Sequence, residues 1–186
     1  MARTDVDPRH VAQGLADHFN SVLNATVSKA RLSVISEKGS DPPHFDIARL
    51  AGNKIVPLEL NGTTALLLIQ HKIEVVDAHC ATLTYAYRYQ QAKAPNSWVC
   101  RWEYSRRPPK AGYPYPLGHF HLNADLRGAS DATKDIHEMH FPTDRVSLES
   151  VLLSLIQEWG VKPLTERWRQ TLSDSYAGFA ERRTAP

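Results

Sequence analysis

Thr82-Leu-Thr-Tyr-Ala-Tyr-Arg-Tyr89 and Trp98-Val-Cys-Arg-Trp-Glu-Tyr104 decide how this chain folds. Side chains alternate across a strand, so in the first run Leu83, Tyr85, Tyr87 and Tyr89 share one face and Thr82, Thr84, Ala86 and Arg88 the other. In the second run Trp98, Cys100, Trp102 and Tyr104 fall on one side, with Val99, Arg101 and Glu103 opposite. Ala94-Pro-Asn-Ser97 between them has turn chemistry, which predicts two neighbouring antiparallel strands.

Downstream, Arg106 to Gly118 carries four prolines, two glycines and two tyrosines, the make-up of a long and partly stiff loop. His119 to Asp125 alternates again and predicts a third strand, with His119, His121 and Asn123 on one face. A short fourth strand is expected around His137 to Phe141, stopped by Pro142. Upstream, Asp7-Pro8 reads as a helix start, and Val11, Leu15, Phe19, Val22 and Leu23 continue at helical spacing, predicting a helix over about 8–24. Arg31 to Ser36 suits a short strand, and no clear pattern emerges over 45–61.

The apolar block between Thr63 and His79 has β-branched residues suited to a strand, but Leu66, Ile69, Ile73 and Val76 are spaced for a buried helix, which is the expectation here. Ser147 caps the clearest helix, with Leu148, Val151, Leu152, Leu155, Ile156 and Trp159 on one stripe and Gly160 and Pro163 at its end. A last helix from about Leu164 carries Trp168, Leu172, Tyr176 and Phe179. The expected fold is α+β: an antiparallel sheet of four to five strands packed with an N-terminal helix and a C-terminal helical hairpin. It forms one domain over 1–186, with its core in about 8–180.

Composition narrows the function. The chain of 186 residues is 42% hydrophobic and 23% charged, a globular balance. It holds no apolar run of the roughly 18 residues a bilayer span requires, and Met1 to Pro8 has no signal-like stretch, so a cytoplasmic protein without membrane contact is expected. Cys80 and Cys100 lack CxxC spacing and read as two buried thiols. A formal charge of +2 does not announce a nucleic-acid binder, so local clusters must carry any such role. The absence of GxxxxGK[ST], GxGxxG and GxSxG disfavours nucleotide folds and serine hydrolases, and no cofactor is assigned.

The pair His119-Phe-His121 places two imidazoles on one strand face about 7 Å apart at Cα. His137 and His140 add two more, of which at most one joins the same face if the segment is a strand. With Glu103 and Asp125 these are metal-binding residue types, but no HExxH-like spacing is present and no metal is assigned. Without metal, the same residues suit RNA cleavage. His119 and His121 carry protons, Arg101 stabilises charge at phosphorus, and Glu103 on Arg101's face acts as base or partner. Arg106, Arg107 and Lys110, followed by Tyr113 and Tyr115, offer charge for phosphates and rings for bases. Catalysis of this kind requires His119 and His121 open to solvent beside Arg101.

The order of a Tyr-x-Tyr-x-Tyr strand, Arg101-Trp102-Glu103 and Pro116-Leu-Gly-His119-Phe-His121 resembles the TumE-like toxin family of bacterial toxin–antitoxin systems over about residues 82–157. The resemblance implies a toxin component acting on RNA, with an antitoxin protein as partner; self-association is compatible with it. Two other classes stay open: a non-catalytic protein-interaction module, and a metal-dependent hydrolase using the histidine cluster.

Overall fold

In the computed structural model the tyrosine-rich and tryptophan-rich runs pair as antiparallel neighbours. They are strand β7 (His79–Gln90) and strand β8 (Trp98–Ser105), with Tyr87 opposite Trp102 and Ala86 opposite Glu103. The structure describes residues 6–94, 97–107, 116–123 and 140–184. Helix α1 (Pro8–Thr26) begins where Asp7 accepts the Arg9 amide and Pro8 takes the first turn. Strands β1 (Ser33–Ser36), β2 (His44–Ala48), β3 (Leu50–Ala51), β4 (Lys54–Ile55), β5 (Leu58–Glu59) and β6 (Leu66–Val76) precede β7. After β8 come β9 (Gly118–Leu122), β10 (Phe141–Pro142), α2 (Leu148–Gln157) and α3 (Trp168–Thr184).

One antiparallel sheet runs β1-β2-β6-β7-β8-β9-β10, with β5 also paired to β6, while β3 and β4 form a separate two-stranded ribbon. That sheet has eight strands and corrects the expected four to five. The surplus is β2 and β5, from the stretch that showed no pattern, and β6, from the stretch expected to be a helix. Strands of two to five residues are too short to display a period, and partner strands rather than local sequence fix them.

The expected helix between Thr63 and His79 is instead the eleven-residue strand β6, hydrogen-bonded to β2, β5 and β7. Leu66 to Ile69 are buried in succession, so both faces of that half are covered and alternation disappears. Beyond it the period of two returns, with Ile73 and Val75 buried.

The inner face carries Phe45, Ile47, Ile69, Ile73, Tyr85, Tyr87, Tyr89 and Cys100, all buried in one cluster with Ala16, Phe19 and Leu23 of α1 and Val151, Leu152 and Leu155 of α2. Each Phe, Ile, Leu or Val among them contributes roughly 1.5–3 kcal/mol by leaving water. Helix α3 contacts both α1 and α2 and buries Trp168 and Leu172. Among the described residues no helix is long and apolar enough to cross a membrane.

Two irregularities move side chains between faces. A register shift between Lys72 and Ile73 turns Thr82 inward, so it does not join Thr84 and Ala86 as alternation predicted. A second shift beside Gln90 puts Trp98 under the Arg101 guanidinium, 5.3 Å from its centroid, while Val99 packs against the core. Cys100 is buried as expected, but Cys80 is only half-buried, its thiol donating to the Val11 carbonyl at 3.7 Å. The strand expected around His137 to Phe141 is described only at β10, where Phe141 lies opposite Phe120 and Pro142 opposite His119; His140 precedes it outside any strand, and residues 137–139 lie outside the described residues.

Candidate functional site

The outer face of β8 and β9 gathers the chemistry. The register sets Arg101 opposite His121 and Glu103 opposite His119, so four alternate residues of two strands become one quartet. Glu103 is its hub: Oε2 lies 3.1 Å from His121 Nε2 and 3.3 Å from His119 Nε2, and Oε1 lies 3.0 Å from Arg101 Nε. The Arg101 contact is an ion pair by distance, but its N–H direction does not make it a hydrogen bond. Nδ1 of His119 donates to the Pro116 carbonyl at 2.8 Å.

His140, just before β10, brings a third imidazole. Its ring centroid is 4.9 Å from that of His119 and 4.2 Å from that of His121, which are themselves 4.9 Å apart. Ring nitrogens of the three histidines lie within 4.8 Å of one another. Close backbone approach brings this segment in: the Thr143 amide donates to the Gly118 carbonyl at 3.0 Å, and Phe141 packs by Phe120. The sequence named His140 as a metal-binding residue type, but its place depends on the β9–β10 register, which no local pattern reveals.

Burial alone would raise the Glu103 carboxyl. The hydrogen bond from His121 and the charge of Arg101 outweigh it and hold the group below the usual carboxylate range. On the neighbouring strand Arg88 lies opposite Arg101; burial and that like charge make its protonated form less favourable. A shallow depression of about 520 Å³ on the same sheet face, lined by Asp46, Lys72, Thr84 and Ser105, reaches Glu103 and His119.

All four residues expected to be catalytic therefore come together. Their exposure differs from the expectation that the histidines open to solvent: His119 and His121 are 4% and 3% exposed. The accessible edge is formed by Glu103 and Arg101, whose side chains are 28% and 29% exposed. Of the residues expected to hold substrate, Arg106 is engaged by Glu74 across the strands and Arg107 is exposed. Lys110, Tyr113 and Tyr115 lie outside the described residues, as do His137 and Asp125.

A second polar cluster, on the inner face, was missed by the sequence reading. His71 Nδ1 lies 2.7 Å from the Tyr87 hydroxyl and its Nε2 3.0 Å from Thr82 Oγ1, which accepts from the Arg145 guanidinium at 2.6 Å. The cluster lines a cavity of about 600 Å³ between α1, β6, β7 and the start of α2. Burial pushes His71 down to about 3, so its ring is neutral near pH 7. The expected helix hides the signal, because on a helix the alternation of His71 with Ile69 and Ile73 carries no meaning.

A family model described as Toxin TumE matches residues 66–159, just over half of the chain, from β6 to just beyond α2. No curated protein and no solved structure matches.

Proposed function

The chain belongs to the Toxin TumE family and is thereby a toxin component, and from that premise we propose that it cleaves RNA at the β8–β9 quartet. One observation carries the reading: on one sheet face two imidazole nitrogens and a guanidinium nitrogen each lie 3.0–3.3 Å from the Glu103 carboxylate. Glu103, at the accessible edge, takes the proton from the attacking hydroxyl. Arg101, its guanidinium carbon 5.3 Å from the Trp98 ring centroid, meets the charge that builds on the phosphoryl oxygens. His119 and His121 form the dry floor of the site, where they neutralise the departing oxygen, by proton transfer in the metal-free protein. The partner implied by family membership is a protein antitoxin that suppresses this activity.

The test is growth and total RNA in a host expressing the wild type, Glu103→Gln or the His119→Ala/His121→Ala double variant, with circular dichroism on each purified protein. The wild type arrests growth and fragments RNA, and folded Glu103→Gln loses about 10²–10⁴-fold of the cleavage rate. Intact RNA under growth arrest by the wild type overturns the nuclease reading.

A further inference from the structure

We propose that His119, His121 and His140 bind a divalent transition metal of the zinc class, a site that deepens the reading above by supplying the electrophile at the same centre. Three imidazoles with ring nitrogens within 4.8 Å of one another form a donor set suited to zinc, cobalt, nickel or copper rather than magnesium or calcium. Three protein ligands leave a further position open, the pattern of catalytic rather than structural zinc.

The hydrogen bonds fix which nitrogens are available. A carbonyl oxygen only accepts, so the Pro116 contact requires the proton of His119 on Nδ1, leaving Nε2 bare in the neutral ring. That nitrogen sits 3.3 Å from Glu103 Oε2, two lone-pair carriers facing each other, and a positive charge beside them makes the arrangement favourable. His121 donates its Nε2 proton to Glu103, leaving Nδ1 as the bare atom. Among the described residues, buried Nδ1 of His121 has no hydrogen-bond partner, in a side chain 3% exposed. A backbone carbonyl behind one imidazole and a carboxylate behind another is how ligand histidines are oriented in metal sites.

The placement matters for function. An ion held by these rings supplies Lewis acidity next to Arg101 and Glu103, at the end of the depression that reaches the quartet. Glu103 lies against His119 and His121 and remains at the accessible edge, where it can serve as base toward substrate or water.

The experiment is titration of chelator-treated full-length protein with Co²⁺ alone, followed by visible absorption, and with Zn²⁺ alone by calorimetry. Wild type binds one equivalent and shows the intense visible bands of low-coordinate cobalt. His140→Gln, which changes a partly exposed ligand outside the quartet, and His121→Gln each weaken binding by at least about 10-fold. His79→Ala, at an exposed histidine on β7, leaves it unchanged. Absence of saturable binding by the wild type overturns the proposal, as does His140→Gln binding with wild-type affinity. RNA cleavage by a wild type that shows no saturable metal binding keeps the nuclease reading and sinks the metal site; one bound equivalent without RNA cleavage does the reverse.

Discussion

Gly118 shows how much of the site depends on one missing atom. A Cβ there would come 2.7 Å from the Thr143 carbonyl oxygen and 2.9 Å from that of Asp144, backbone that cannot swing aside like a side-chain tip. Gly118→Ala therefore forces β9 away from the 140–144 segment, beside His119 on one strand and near His140 on the other. The expected cost is about 1–3 kcal/mol in urea unfolding, the range for overpacking, together with, under the proposed function, reduced RNA cleavage; a wild-type urea midpoint would show that the approach tolerates a methyl group. Tyr87 tests the opposite case, a buried polar pair. Tyr87→Phe keeps the ring stacked on Tyr85 and opposite Trp102 but removes the hydroxyl from His71 Nδ1, leaving a nitrogen unpaired in the core. The loss should be about 1–3 kcal/mol, and an unchanged urea midpoint would mean that His71 finds another partner.

Strand β6 is the element around which the sheet is organised, since it joins the β1–β2 side to the β7–β10 side and receives β5 as well. Leu67, fully buried opposite Tyr89 and Leu58, is the position at which this can be weighed. Leu67→Ala should cost about 2–5 kcal/mol with the denaturant slope unchanged; a cost under about 1 kcal/mol would mean that the core collapses around the gap. The same strand marks where the sequence was legible and where it was not. Tyr85, Tyr87 and Tyr89 alternate cleanly because one face of their strand meets the helices and the other stays polar, so their burial could be read directly. Leu66 to Ile69 lack that contrast, and four consecutive buried residues suit a helix as well as a strand. Bulges are invisible to alternation, which is why alternation alone puts Thr82 and Trp98 on the wrong faces. The quartet was readable because its four members are alternate residues of two strands, whereas His140 enters through a two-residue strand whose pairing only the tertiary structure defines.

At the scale of the whole molecule the three helices are joined to one another by a polar clasp as well as by apolar packing. Glu149, in the first turn of α2, accepts from Ser175 of α3 and lies 3.7 Å from His18 of α1, while Ser175 also meets His18 at 2.9 Å. Burial alone would raise this carboxyl, but His18, Ser175, its own backbone amide and Ser147 hold it at about 2. In the unfolded chain a glutamate takes up its proton near its ordinary value of 4.5, so between about 4.5 and 2 the unfolded state binds more protons. Stability from Glu149 is thus fully present above that window and is lost as pH falls through it, on the order of 3 kcal/mol at neutral pH. His71 adds to the same trend. Its ring is kept neutral down to about 3 by burial and by the charge of Arg145, whereas the unfolded chain protonates it near 6.5, so its loss begins earlier in the descent. Wild type should therefore lose stability from about pH 6.5 downward and more steeply below 4.5, when urea unfolding is measured at steps from pH 7 to 3. Glu149→Gln should be weaker at pH 7 by a few kcal/mol and should lose the steep lower portion while keeping the upper one that belongs to His71. A variant curve running parallel to the wild type below pH 4.5 would place the acid sensitivity elsewhere and reduce the clasp to ordinary packing among the helices.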